Sequence, residues 1–249
     1  MLAVTAASLS GGPDPRLAAP LVVVLALAHA LGGRGEVAAA TSVRHWLSAG
    51  GGAAVAYVFV LVLPEVSDVA LVVGERLGEA FLAEQLAYLV VLTGFVAFYG
   101  VEVTVAHRCG GDAESSAIVY RAHLAVFTVY SALVGYLLFH QERPGPANYV
   151  FYTVAMGLHF VVTDEGFHRH HGDAFDHRGR YLLVAGTLVG GVVGALTEIG
   201  PLHLALVFAF VAGSVVLNVL KEELPEAGQS RFLAFLGGAA VYAALVLLV

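Results

Sequence analysis

The sequence predicts an all-α, polytopic membrane protein with about eight transmembrane helices. Of its 249 residues, 59% are hydrophobic and only 12% are charged, about half the charged share of an average soluble domain. The charges cluster between long apolar runs, and each spanning helix needs about 20 mainly apolar residues. The runs do not alternate polar and apolar residues, as a membrane β-barrel requires. Helices also satisfy their own backbone polar groups in lipid.

We expect a single transmembrane domain over residues 1–249, because no loop is long enough to fold alone. Glycine and proline, which break helices, mark several of the boundaries, as at Gly110-Gly111 and Gly200-Pro201. The predicted spans are residues 17–31, 46–63, 85–106, 118–139, 149–163, 181–196, 202–220 and 232–249.

The first span ends in Ala28-His29-Ala30, which resembles a signal-peptidase site. If the N-terminus lies outside, the loops after spans 1, 3, 5 and 7 face the cytoplasm and hold most of the Lys and Arg residues. These are Arg34, Arg44, Arg108, Arg121, Arg169, Arg178, Arg180, Lys221 and Arg231. Cleavage would invert every later span against this positive-inside bias. We therefore expect span 1 to remain as a helix of a multi-pass plasma-membrane protein, with both termini outside the cytoplasm.

Charge and cysteine content exclude some classes of partner and site. The formal net charge is −7, and nucleic-acid binding needs clustered Lys and Arg, so the expected partner is the lipid bilayer and not a nucleic acid. Cys109 is the single cysteine, which excludes an internal disulfide and a zinc or iron–sulfur site built from cysteines.

The ends of spans 2 and 7 are related by an internal repeat. Residues 52–65 align without gaps with residues 213–226, from Gly52 and Gly213 to the closing motifs Leu63-Pro64-Glu65 and Leu224-Pro225-Glu226. The predicted topology places the two motifs on opposite membrane faces, as inverted repeats of transporters do. The implied plan is three helices, two central helices and three inverted helices (3+2+3). Chance similarity between apolar helices is the alternative.

Ionisable groups inside a membrane are costly and are therefore candidates for function. At about 1.5 Å of rise per residue, His159 lies level with Tyr130, and His123 lies level with Asp164 and Glu165, nearer the cytoplasm. Imidazole suits zinc and iron, and carboxylate suits harder ions. The candidate metal ligands are His159, Asp164, Glu165, His123, Ser131 and Glu222.

Each candidate also has a plainer interpretation. His159 is alternatively a hydrogen-bonded packing residue, and Asp164 and Glu165 alternatively mark a solvated helix end. The same holds for Glu222, next to Lys221. The stretch 168–177 contains four histidines and two aspartates and is either a weak metal-capturing loop or a solvated one.

The pattern resembles the ZIP family of zinc and iron permeases over most of the chain. The resemblance rests on the 3+2+3 plan, the outside termini and the Leu-Pro-Glu motifs. Span 7 is similar to the family's seventh helix, which often ends in His-Glu-x-x-Pro-Glu. Here Lys221 stands in place of the histidine, and Glu222 keeps the glutamate.

The family's metal-site motifs are matched only in part. Of His-[Ser/Asn]-x-x-[Asp/Glu]-Gly on span 4, Ser131 and Gly135 are present, but Tyr130 replaces the histidine and Val134 the carboxylate. Of His-Glu-x-Pro-Glu-Gly on span 5, the chain keeps the last two positions, Glu165-Gly166. On that span Asp164 takes the proline position and His159 lies two residues early.

The resemblance implies transport of a divalent cation such as zinc or iron into the cytoplasm, by sliding of one helical block against another. It implies no enzymatic activity and no permanently bound cofactor, and a homodimer is a further expectation. The site would have to be rebuilt from the candidate ligands. One alternative is a transport-inactive relative that binds a partner or regulates. Another is a redox protein with haem held by histidines, drawn from His29, His123, His159 and His203.

Overall fold

The computed structural model describes residues 14–32, 41–77, 80–108, 113–141, 145–172, 174–223 and 231–247. Over these ranges the chain forms eight long helices and no strand, which confirms the all-α prediction. The helices are α1 (Pro15–Leu31), α2 (Thr41–Tyr57 and Leu63–Leu77, joined by the π-helical turn Val58–Val62), α3 (Ala80–Arg108), α4 (Ala113–Leu138), α5 (Pro146–His171), α6 (the π-helical turn Phe175–Gly179, then Arg180–Leu196), α7 (Pro201–Asn218, then the π-helical turn Val219–Glu223) and α8 (Phe232–Leu247).

Within the part of the chain that the structure describes, five helices are long and apolar enough to cross a membrane. These segments are Ser48–Arg76, Leu82–Thr104, Ala117–Leu138, His177–Leu196 and Pro201–Lys221. The apolar helices α1 and α8 are shorter, and α5 is long enough but carries more polar side chains. Length and composition therefore fit an integral membrane protein.

The predicted end of span 2 at Leu63-Pro64-Glu65 is wrong, because α2 continues to Leu77. A proline inside an α-helix clashes with the carbonyl four residues back. Here the preceding turn is π-helical, and the Leu63 N–H bonds to the Val58 carbonyl five residues back. The wider turn makes room for the proline ring, so the helix passes through the motif.

The predicted loop after span 5 is also mostly helical. Helix α5 extends to His171 and ends at Gly172, whose φ of 51° favours glycine. Helix α6 then begins at Phe175. Four residues of the histidine-rich stretch, 168–171, thus belong to α5 and not to a loop.

The helices pack as two groups of four. Block A comprises α1, α4, α5 and α6, with α4 against α6 and α1 against both α5 and α6. Block B comprises α2, α3, α7 and α8, with α2 against α8 and α3 against α7. Phe98 of α3 links the blocks through edge-to-face contacts with Phe127 and Tyr130 of α4.

Glycine lets several helix backbones touch inside each block, as is common in membrane proteins. In block A, a Cβ on Gly186, Gly190 or Gly194 of α6 would collide with backbone atoms of α4. Block B has two close backbone contacts of this kind, which we call seams: one between α2 and α8 and one between α3 and α7. A Cβ on Gly52 of α2 would overlap the Phe235 carbonyl of α8.

The second seam of block B repeats the first. A Cβ on Gly213 of α7 would overlap the Val91 carbonyl of α3. In the reverse direction, Gly94 of α3 meets the Phe210 carbonyl of α7, as Gly238 of α8 meets the Ala49 carbonyl of α2. In both seams, therefore, each helix contributes one glycine that lies against a backbone carbonyl of the other helix.

Candidate functional site

A buried polar cluster joins three helices of block A. His29 of α1 and Asp164 of α5 form a hydrogen-bonded pair in which His29 Nδ1 lies 3.0 Å from both carboxyl oxygens. The other ring nitrogen, Nε2, lies 3.2 Å from Ser131 Oγ of α4. All three side chains are at most 1% exposed. Such a cluster inside a membrane protein is the strongest candidate for a functional site.

Both ring nitrogens of His29 have a hydrogen-bond partner in this cluster, and the tautomer of the ring decides which groups donate. The Ser131 hydroxyl lies 2.8 Å from the Phe127 carbonyl, to which it donates, and this favours donation from His29 Nε2 to the Ser131 oxygen. The hydrogen bond between His29 Nδ1 and the Asp164 carboxyl group then requires a shared proton.

Neighbouring groups hold the pair in place. The Phe160 ring stacks on His29, with centroids 3.9 Å apart. Gly32 lies so close that a Cβ there would be 3.0 Å from Asp164 Oδ2. Arg180 of α6 is 6% exposed, donates from Nη1 to the Ala30 carbonyl at 3.4 Å and acts electrostatically on Asp164, as His159 does.

His159 lies on α5, one turn before Thr163. Its side chain is 1% exposed, and Nε2 is 3.5 Å from Thr163 Oγ1. The ring meets Tyr130 of α4 edge to face, with centroids 5.8 Å apart, so these two residues do lie at one depth. His159 acts electrostatically on Asp164, and its ring also lies against Phe160, with centroids 6.2 Å apart.

His123 does not join this cluster. Its Nδ1 lies 3.2 Å from Nε2 of His171, at the end of α5, and its ring stacks on Phe167. Phe167 and His171 follow Asp164 by roughly one and two helical turns. The sequence predicts that His123, Asp164 and Glu165 lie at one level, but the structure places His123 and Asp164 in two separate clusters.

The remaining candidates contribute less to the site. Glu165 is half-buried next to Asp164. The backbone of Glu222 belongs to the final π-helical turn of α7, but its side chain is outside the described residues, and so is Cys109. Within the described part of the chain, no group of three or more His, Cys, Asp and Glu side chains is placed to share a metal ion.

A small cleft, with room for about one water molecule, lies between the two blocks beside Leu137, near the C-terminal end of α4. Its lining includes Glu65 of α2, His140 after α4 and Tyr152 of α5. Glu65 belongs to the first Leu-Pro-Glu motif, so the continuation of α2 through Pro64 brings this carboxylate to the boundary between the blocks. Both ring nitrogens of His140 lie close to backbone carbonyls, Nδ1 3.2 Å from that of Tyr136 and Nε2 3.1 Å from that of Thr197. The carboxylate of Glu65, rather than this imidazole, is therefore the group of the cleft that suits a cation.

Sequence patterns do not identify His29 as a member of the His29–Asp164–Ser131 cluster (the central cluster) or Arg180 as its neighbour. They predict a signal-peptidase-like tripeptide or a haem ligand at His29 and a cytoplasmic charge at Arg180. Their common signal is an ionisable residue in or next to an apolar run. Nothing local indicates that His29 pairs with a residue 135 positions later.

No family model, curated protein or solved structure matches this chain.

Proposed function

We propose that the protein transports a divalent cation across the membrane, with Asp164 and His29 as the central ligands of a non-standard ZIP-like site. The observation that carries the proposal is the fully buried His29–Asp164–Ser131 cluster. A carboxylate, an imidazole and a hydroxyl converge there, and nearby His159 supplies a second imidazole after a side-chain rearrangement. An incoming zinc or iron ion replaces the shared proton of the pair, since metal ligands must be deprotonated.

The paired seams support the 3+2+3 inverted-repeat architecture. The repeat aligns Gly52 with Gly213, and these glycines sit in equivalent contacts, one with α8 and the other with α3. The same alignment superimposes the π-helical turns Val58–Val62 and Val219–Glu223 residue for residue. π-Helical turns are rare and often mark functional positions, so their coincidence favours a true repeat over chance.

The two-block packing supports the transport mode that the ZIP resemblance implies. The central cluster belongs to block A, and the cleft at Glu65 and His140 lies between the blocks. If block A slides along block B, the central cluster moves relative to Glu65 of block B, which lines the cleft. An even number of crossings puts both termini on one side, and the Lys and Arg bias favours the outside of the plasma membrane.

Zinc uptake by protein-containing liposomes with an enclosed fluorescent zinc indicator tests the proposal. We expect Asp164→Ala and His29→Ala to reduce initial uptake to the level of protein-free liposomes, because each removes a central ligand. His159→Ala and Glu165→Ala should also lower uptake. Glu198→Ala is the matched control, since this carboxylate is exposed in the α6–α7 connection. Wild-type uptake by a folded Asp164→Ala protein would exclude the proposed site.

A transport-inactive, partner-binding or regulatory relative is the second candidate. It is favoured by the absence, within the described residues, of three His, Cys, Asp and Glu side chains arranged around one point. The His29–Asp164 pair also satisfies itself without an ion. Isothermal titration with zinc separates the two: fewer bound zinc ions per protein in Asp164→Ala than in the wild type support transport, and an unchanged number supports the inactive relative.

A further inference from the structure

The two imidazoles of His123 and His171 form a second cluster, which the proposed transport site does not use. His123 lies on α4, and His171 is the last residue of α5. The facing atoms, Nδ1 of His123 and Nε2 of His171, are 3.2 Å apart. The polar groups of the first cluster belong to His29, Ser131 and Asp164, so the two clusters share no residue.

The distance between these nitrogens suits a bridging metal ion. Zinc binds imidazole nitrogen at about 2.0–2.1 Å in tetrahedral geometry. Two such ligands on one ion therefore lie about 3.3–3.4 Å apart, close to the distance in this pair. In the metal-free pair one nitrogen donates a proton to the other. A change of tautomer moves that proton to the far side of its ring, after which each facing nitrogen carries a lone pair that can bind the ion.

Aromatic side chains keep both rings in position. Phe167 stacks on His123 with centroids 4.2 Å apart, and Phe127 meets the same ring edge to face at 5.0 Å. On the other side, Tyr120 lies 4.8 Å from the His171 ring, and its hydroxyl is fixed by a 2.9 Å bond to the Ala174 carbonyl. Rings held in this way lose little freedom when they bind an ion, which favours binding.

The pair is also accessible from one side. His123 is 7% exposed, but His171 is only half-buried and lies where α5 ends at Gly172. An ion can therefore reach the pair from the end of the helix and keep water in its remaining coordination positions. Imidazole ligands select zinc, nickel and copper over magnesium and calcium.

We propose that His123 and His171 form a second divalent-metal site, which clips α4 to α5 and takes an imidazole-preferring ion such as zinc or nickel. The site does not depend on the transport proposal. Metal bound here stabilises the folded state, because the two nitrogens come together only when α4 and α5 are packed.

Nickel binding by purified, tag-free protein in detergent tests the site, with thermal unfolding and isothermal titration as readouts. We expect nickel to raise the melting temperature of the wild type, and magnesium to leave it unchanged. His171→Ala should lose the nickel-dependent rise and weaken nickel binding by at least about tenfold, because even groups that only orient a ligand are worth about 10- to 100-fold. His123→Ala should behave in the same way. His171 is the safer of the two substitutions, because it lies half-buried at a helix end.

Two controls separate this site from other histidines. His107→Ala should keep the full nickel response, because this exposed histidine bonds to its own helix at the Val103 carbonyl. Glu198→Ala should keep it as well, because this carboxylate is exposed in the α6–α7 connection and belongs to neither cluster. A wild type without a nickel response, or a response that survives in His171→Ala, would overturn the proposal.

Discussion

Replacement of Gly238 by alanine should destabilise the protein by about 1–3 kcal/mol or more, whereas the same substitution at the adjacent Gly237 should not. A Cβ on Gly238 would overlap the Ala49 carbonyl, while nothing lies within 4 Å of a Cβ on Gly237. The first variant must therefore push α8 away from α2, and a close backbone seam cannot yield without losing its contacts. Denaturant titration in mixed micelles, followed by circular dichroism, measures both effects.

Gly237→Ala is a matched control in the same helix, one residue away. There we expect no loss, and a gain of up to about 1 kcal/mol, because alanine favours a helix over glycine by that amount. Gly213→Ala, in the equivalent seam between α7 and α3, should reproduce the loss. Equal stability of the two α8 variants would contradict the close approach of α2 and α8.

The losses of stability caused by removing His29 and Asp164 one at a time should add up to more than the loss caused by removing both. Asp164→Ala leaves the His29 ring buried against Phe160 without its carboxylate, and His29→Ala leaves a buried acid without its base. Breaking a buried ion pair in this way costs about 3–5 kcal/mol. In the double variant neither group is stranded, so its loss of stability should be smaller than the sum of the single losses.

The double-mutant cycle isolates this coupling. We expect a coupling energy of at least about 1 kcal/mol, within the range seen for residues in one hydrogen-bond network. Glu165→Ala is the control, since this carboxylate is only half-buried next to Asp164, and its loss should combine additively with His29→Ala. Strict additivity of the His29 and Asp164 losses would mean that the pair makes no net contribution to folding.

Composition was enough to predict the helices, because each long apolar run can satisfy its backbone only as a helix. The boundaries were harder to predict where tertiary packing outweighs local preference. Pro64 looks like a terminator, yet a π-helical turn at Val58–Val62 accommodates it. The polar stretch that ends at His171 looks like a loop, yet it is helical, and the His171 ring packs against Tyr120 and Phe167.

The candidate site was predictable only where helical geometry determines it. Counting residues from the helix ends placed Tyr130 beside His159, because both helices rise by a fixed amount per residue. The same counting put His123 beside Asp164, but the tilt and rotation of packed helices depend on side-chain contacts that a count does not contain. The partner of Asp164 is on α1, and no local pattern in the sequence connects these two residues.

The glycine seam of α6 makes one side of that helix nearly immutable. Gly186, Gly190 and Gly194 recur every fourth residue against α4, whereas Val189 and Val192 are exposed on the opposite side. In a saturation library selected for folded protein, substitutions should be accepted at the valines, including larger apolar residues, and rejected at the glycines. The number of substitutions accepted at each position of α6 should therefore rise and fall about every four residues. Sequencing of the selected variants would then show which side of α6 faces the rest of the protein.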